Sequence, residues 1–173
     1  MTPRIFLITG LMASGKTTVA QALAERLPKS VHLKGDAFRR MIVHGQAAMS
    51  FELTDEAASQ LKLRYDLAAA AAKRYFEDGF TVVYQDIILG PALEEVAAKF
   101  EGLPLSVVVL CPDAATIASR EAARNKSGYR NREEIAAFDR VLREETPRIG
   151  IWIDSSGLTV RQTVDQILEE PAP

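Results

Sequence analysis

The eight residues Gly10-Leu11-Met12-Ala13-Ser14-Gly15-Lys16-Thr17 constrain this chain more than any other stretch. They spell G-x-x-x-x-G-K-T. An apolar run, Ile5-Phe6-Leu7-Ile8-Thr9, precedes them, and an amphipathic run from Thr18 to Leu27 follows. A strand, a loop and a helix in that order form the setting of a phosphate-binding loop. The two glycines let the backbone wrap with its N–H groups inward, making a nest for phosphate oxygens. The helix that follows adds the partial positive charge of its N-terminus. On this reading Gly10, Ala13, Ser14, Gly15, Lys16, Thr17 and Thr18 cradle a nucleotide. Lys16 reaches the terminal phosphates, and the Thr17 hydroxyl ligates Mg²⁺.

The rest of the 173 residues repeats the alternation. Strands are predicted at Arg4–Thr9, Ser30–Lys34, Thr81–Asp86, Leu105–Cys111 and Gly150–Asp154. Helices are predicted near Lys16–Leu27, Ala37–His44, Thr54–Asp78, Pro91–Phe100, Asp113–Arg124, Arg132–Glu144 and Thr159–Glu169. Strands alternating with helices imply a mainly parallel, doubly wound α/β sheet in one domain spanning residues 1–173. Ligands of such sheets bind beyond the carboxyl ends of the strands. Those ends deliver the phosphate loop, Gly35-Asp36, Gln85-Asp86, the helix with Arg120 and Arg124, and Asp154-Ser155-Ser156-Gly157.

Composition narrows the partners. A net charge of −2 gives no bulk attraction to nucleic acid or anionic membrane. No apolar stretch has the length of a membrane span. The single cysteine, Cys111, excludes an internal disulfide framework and reads as a buried structural thiol. A cytoplasmic protein, monomeric or homodimeric, that acts on a small molecule is expected.

Phosphoryl transfer needs a phosphate cradle, a group to orient or deprotonate the acceptor, and cations for the migrating charge. Asp36 is the best candidate for the second task; the alternative is a helix N-cap. Arg39 and Arg40 follow it as substrate-binding candidates, and at least one of them should face the cleft. Asp86 ends an apolar strand. It can hold the Mg²⁺ shell, contact substrate, or cap the next turn. Arg120 and Arg124 share a helix face, and the polar segment after them reads as a cationic lid over about 120–132. The alternative for these arginines is an exposed helix end. The acceptor region spans about 36–65. His32, His44 and Trp152 read as structural.

In their order these motifs resemble the small P-loop kinases that phosphorylate metabolites and antibiotics. The nearest likeness is to the chloramphenicol phosphotransferase-like proteins; gluconate, shikimate and zeta-toxin kinases are more distant. The loop from Gly10 to Thr17 carries the likeness, together with Asp36, Tyr84-Gln85-Asp86-Ile87-Ile88-Leu89-Gly90, and Cys111-Pro112-Asp113 through Arg124. The resemblance implies a P-loop kinase fold with a five-stranded parallel sheet in the order 2-3-1-4-5, helices on both faces, and a small lid. It also implies ATP and Mg²⁺ as cofactors, Asp36 as base, and adenine stacked near Gly157. A nucleotide kinase, a zeta-toxin-like kinase and a non-catalytic ATP-binding sensor are the alternatives. The N-K-x-D guanine motif of GTPases is absent from the sequence.

Overall fold

The first strand sets the architecture. In the computed structural model, which describes residues 2–123 and 129–169, β1 (Ile5–Gly10) is buried at every position. Successive side chains of a strand point to opposite faces. Ile5 and Leu7 therefore enter one core and Phe6 and Ile8 the other. A strand apolar on both faces belongs inside a parallel sheet covered by helices. β1 pairs in parallel with β3 (Thr81–Gln85) and β4 (Leu105–Leu110). β2 (Ser30–Lys34) and β5 (Ile151–Ile153) complete the order β2-β3-β1-β4-β5. All pairs are parallel, as the resemblance implies.

Two layers of helices cover the sheet. On one face α1 (Lys16–Glu25) and α7 (Val160–Glu169) bury Val19, Leu23, Val164 and Ile167. On the other, α3 (Asp55–Glu77), α4 (Ala92–Ala98), α5 (Ala114–Ala122) and α6 (Arg132–Arg140) pack Tyr65, Leu93, Ile117 and Ile135 onto the strands. Each large apolar side chain buried this way contributes about 1.5–3 kcal/mol. The small Ala68, Ala69 and Ala72 bring α3 close to the sheet. Its first turn is capped by Thr54, whose Oγ1 accepts the Ala57 N–H at 3.2 Å.

Some boundaries differ from expectation. The helix predicted over Ala37–His44 is one residue longer at its start and four shorter at its end: α2 spans Asp36–Arg40. Beyond Met41 come β-branched Ile42 and Val43 and then Gly45 at φ 78, all poor helix positions. The helix predicted over Arg132–Glu144 is α-helical to Arg140 and then widens into a π-turn, Val141–Glu145. Trp152 is half-buried rather than central, and the Arg148 guanidinium lies 3.9 Å over its ring. Cys111 is buried and free, and burial pushes its thiol pKa up. His32 Nδ1 lies 2.8 Å from Gln21 Oε1. Burial and then Lys34 lower the pKa of His32 to about 4. No helix among the described residues is long and apolar enough to cross a membrane.

Candidate functional site

At the carboxyl end of β1 the chain makes a nest. Gly10 stands at φ 146 and passes so close to β4 that a Cβ there would lie 2.4 Å from the Leu110 carbonyl oxygen. Ala13, at φ 61, is the positive-φ non-glycine residue among those described, and Gly15, at φ 94, is the N-cap of α1. Helices α3, α5 and α6 are capped by the side chains of Thr54, Asp113 and Asn131. α1 has no side-chain cap and no acid in its first turn. Its first N–H groups, which lack intrahelical acceptors, are left for an external anion. The buried Ser14 hydroxyl in the same loop has no hydrogen-bond partner among the described residues. These features fit the phosphates of a nucleotide.

Cations close this nest. Lys16 is buried, and its Nζ donates to the Leu11 carbonyl at 2.6 Å. Arg120 spans the loop and the turn after β5. Its Nη1 donates to Ser14 O and its Nη2 to Ser155 O, each at 3.2 Å. Arg120 thus lies over the nest. Arg124 and residues 125–128 lie outside the described residues. Gly157 lies in the β5–α7 turn, with open space where a side chain would stand. Thr17 and Thr18 are exposed on the wall of a cavity of about 900 Å³.

That cavity joins the loop to the ends of β2 and β3. Its lining includes Lys16, Lys34, Asp36, Arg40, Met41, Arg64, Asp86 and Arg120. Asp36 is the first residue of α2, not its cap; Gly35 holds that place with helical dihedrals (φ −59, ψ −36) and no side-chain bond. The Asp36 carboxylate instead pairs with Arg40 one turn on. The pair is loosely held, with side chains 39% and 77% exposed. Arg39 turns away from the cavity, and its Nη2 donates to the Ala47 carbonyl at 2.9 Å. Of the two arginines, Arg40 lines the cavity.

Asp86 is buried, and protein donors engage both its oxygens. Oδ1 accepts from Arg64 Nη2 and from the Ile87 N–H, both at 2.8 Å. Oδ2 accepts from the Tyr84 hydroxyl at 3.3 Å. Burial pushes the Asp86 pKa up to about 6, against the pull of Arg64. Burial and the Asp86 charge also raise the pKa values of Tyr65 and Tyr84 well above the phenol range.

Arg64 is the site residue that sequence reasoning missed. Its side chain is 9% exposed, and it sits on the apolar stripe Leu61, Tyr65, Ala68, Ala72 of α3. A charge on a stripe at i, i+3, i+4 spacing was the available signal.

Gly35 passes directly above this pair. A Cβ there would lie 2.0 Å from Asp86 Oδ2. Gly35→Ala should therefore push Asp86 off Arg64 or lift β2, at a cost of about 1–3 kcal/mol. Thermal melts check this; an unchanged midpoint would show that the strand end yields freely.

Among the described residues, no group of three or more His, Cys, Asp or Glu side chains could hold a metal ion. The Thr17 hydroxyl, exposed on the cavity wall, is a group of the kind that can hold Mg²⁺ together with substrate phosphates.

A sequence profile described as an AAA domain matches residues 5–146. No curated protein matches the chain. The tunicamycin resistance protein of Deinococcus radiodurans is similar in structure, with TM-score 0.73, 20% identity and 98% of each chain covered. A gluconokinase from Sinorhizobium meliloti gives TM-score 0.68 at 19% identity, over 96% of this chain and 90% of its own. A sugar kinase from Janibacter gives TM-score 0.66 at 21% identity, over 96% and 91%. At such identities the likeness is one of fold, that of P-loop kinases.

Proposed function

This chain belongs to the AAA domain family as a P-loop kinase-like domain, and from that premise we propose that it is an ATP-dependent phosphotransferase acting on a hydroxyl of a small molecule. The reading places it near the chloramphenicol phosphotransferase-like proteins. One observation carries it. A single cavity joins the open N-terminus of α1 to the carboxylate of Asp36. A module that only bound nucleotide would need the first and not the second.

ATP supplies the phosphoryl group, and Mg²⁺ offsets phosphate charge. The chain's own residues supply the rest. The loop N–H groups and Lys16 bind and orient the phosphates. Thr17 offers its hydroxyl to the metal. Asp36 takes the proton of the acceptor hydroxyl as that oxygen attacks. Its bond to Arg40 is exposed and weak, so the carboxylate is free to exchange partners. Asp86 is committed to Arg64, which leaves Asp36 as the available base. Arg120, held over the loop, stabilises charge that develops on the transferring group, and Arg124 is assigned to the same task. Arg40 and the Arg64 edge face the acceptor. Gly157, in the open β5–α7 turn, is assigned to the adenine on the resemblance to P-loop kinases. The buried, unpaired Cys111 fits a reducing compartment such as the cytoplasm.

The test is ATP consumption against a panel of sugars, polyols, nucleosides and hydroxylated antibiotics. At least one acceptor should stimulate ADP formation well above the rate in its absence. Nucleotide binding without stimulation by any acceptor would refute the kinase reading in favour of a sensor. Lys16→Ala should weaken ATP binding by about 1.5–3 kcal/mol, the worth of a charge-assisted hydrogen bond. Calorimetric titration of both proteins measures it, and equal affinities would remove Lys16 from the phosphate site.

A further inference from the structure

Two consecutive carbonyls of the phosphate loop are held by different parts of the molecule. Lys16 Nζ donates to Leu11 O at 2.6 Å, and the Tyr129 hydroxyl donates to Met12 O at 2.9 Å. The buried Tyr129 ring meets Phe138 of α6 edge-on, with centroids 5.8 Å apart. Phe138 in turn meets Phe51 at 5.0 Å and 90°. Phe51 lies in the stretch 41–54 between α2 and α3, whose first residue, Met41, lines the cavity. Polar bonds tie the near half of that stretch: Arg39 and Gln60 hold Ala47, and Gln60 also holds Gly45 O. In the far half Phe51 is 43% exposed and packs perpendicular to Phe138.

We propose that Phe138 and Phe51 are positioning residues that tie the acceptor stretch to the phosphate loop, so that nucleotide binding orders residues 48–54. The proposal rests on reading 41–54 as part of the acceptor site. Phosphates that draw the Lys16 ammonium inward loosen its grip on Leu11 O. The neighbouring carbonyl, Met12 O of the 12–13 peptide, is the one Tyr129 holds, so a shift of the 11–12 peptide that carries the next peptide with it moves the Tyr129 ring, then Phe138, then Phe51. Rings packed edge to face transmit such a shift because each sits in a shaped contact. Contacts of this kind limit the coupling to roughly tenfold in an equilibrium constant, within the usual range for linked sites.

Hydrogen exchange on the full chain, with and without saturating ATP and Mg²⁺, tests this without any acceptor. Wild type should exchange residues 48–54 roughly three- to tenfold more slowly when ATP is bound. Phe138→Leu and Phe51→Leu keep an apolar side chain and remove the ring contact. In each, that ATP-dependent difference should vanish while calorimetry still shows ATP bound. A purely structural role would raise exchange equally in both states and leave the difference intact; that result overturns the proposal. So does wild type that binds ATP with no change at 48–54. Wild type that fails to bind ATP overturns the kinase reading and this proposal with it, and calorimetry separates that failure from the others. Phe51 is partly exposed, so Phe51→Leu remains informative if Phe138→Leu unfolds.

Discussion

Asp36→Asn is expected to lower phosphoryl transfer by about 10²–10⁴-fold while leaving the melting temperature almost unmoved. The two halves of this expectation have separate causes. Asparagine keeps the shape of the side chain and removes its basicity. It also removes the pair with Arg40, but an exposed i, i+4 pair contributes only about 0.3–0.5 kcal/mol. Loss of a negative charge from the first turn of α2 adds a similar small amount. No cap is lost, because Gly35 rather than Asp36 occupies the cap position. Turnover is measured with the acceptor found in the panel, and stability by thermal melts. Full turnover in Asp36→Asn would remove Asp36 as base. Arg40→Ala separates charge pairing from catalysis. It breaks the same ion pair with the carboxylate intact, so it should retain far more turnover than Asp36→Asn.

The parts of the fold set by local chemistry were legible in the sequence. The apolar run of β1, the two glycines and the helix of α1 announce the phosphate loop without any long-range information. Thr54 and the alanine-rich run of α3 mark a long helix, and the structure gives Asp55–Glu77. The parts set by tertiary packing were not legible. Asp36 read as the residue that orients or deprotonates the acceptor, with a helix N-cap as the alternative; the cap alternative fails, because Gly35 takes that place with helical dihedrals and the helix starts one residue early. What requires glycine there is the carboxylate of Asp86, 51 residues away in sequence and directly beneath it. Arg64 escaped for the same reason. A helix stripe shows which residues face the sheet, but not that an acid at the end of β3 waits for one of them. The chain of rings from Tyr129 to Phe51 joins three segments whose aromatic residues have no common period. The order of the strands came from the resemblance and not from any pattern in the residues.

Arg64→Met should cost about 3–5 kcal/mol at pH 8, the usual effect of stripping one partner from a buried ion pair, and clearly less at pH 5. The pH dependence follows from Asp86. Burial raises its pKa in the folded protein to about 6, above its ordinary value of 3.8. The folded state therefore takes up this proton before the unfolded chain does. On this account alone, wild-type stability rises as pH falls from about 6 toward 4. Above pH 6 the carboxylate is charged, and Arg64 offsets the cost of burying it. Removing Arg64 at pH 8 leaves either a bare buried charge or a proton held at a cost. At pH 5 Asp86 is already largely neutral in wild type, so Arg64 has less charge to offset. What remains is its packing on α3, and methionine replaces most of that. Urea titrations at the two pH values measure the difference; an equal penalty at both would show that the pair is not what holds Asp86 ionised. The double substitution Arg64→Met with Asp86→Leu removes both charges at nearly constant volume, and it should recover most of the lost stability. If that stable protein binds ATP but no longer turns over the acceptor, the buried pair is retained for the chemistry of the cavity and not for the fold.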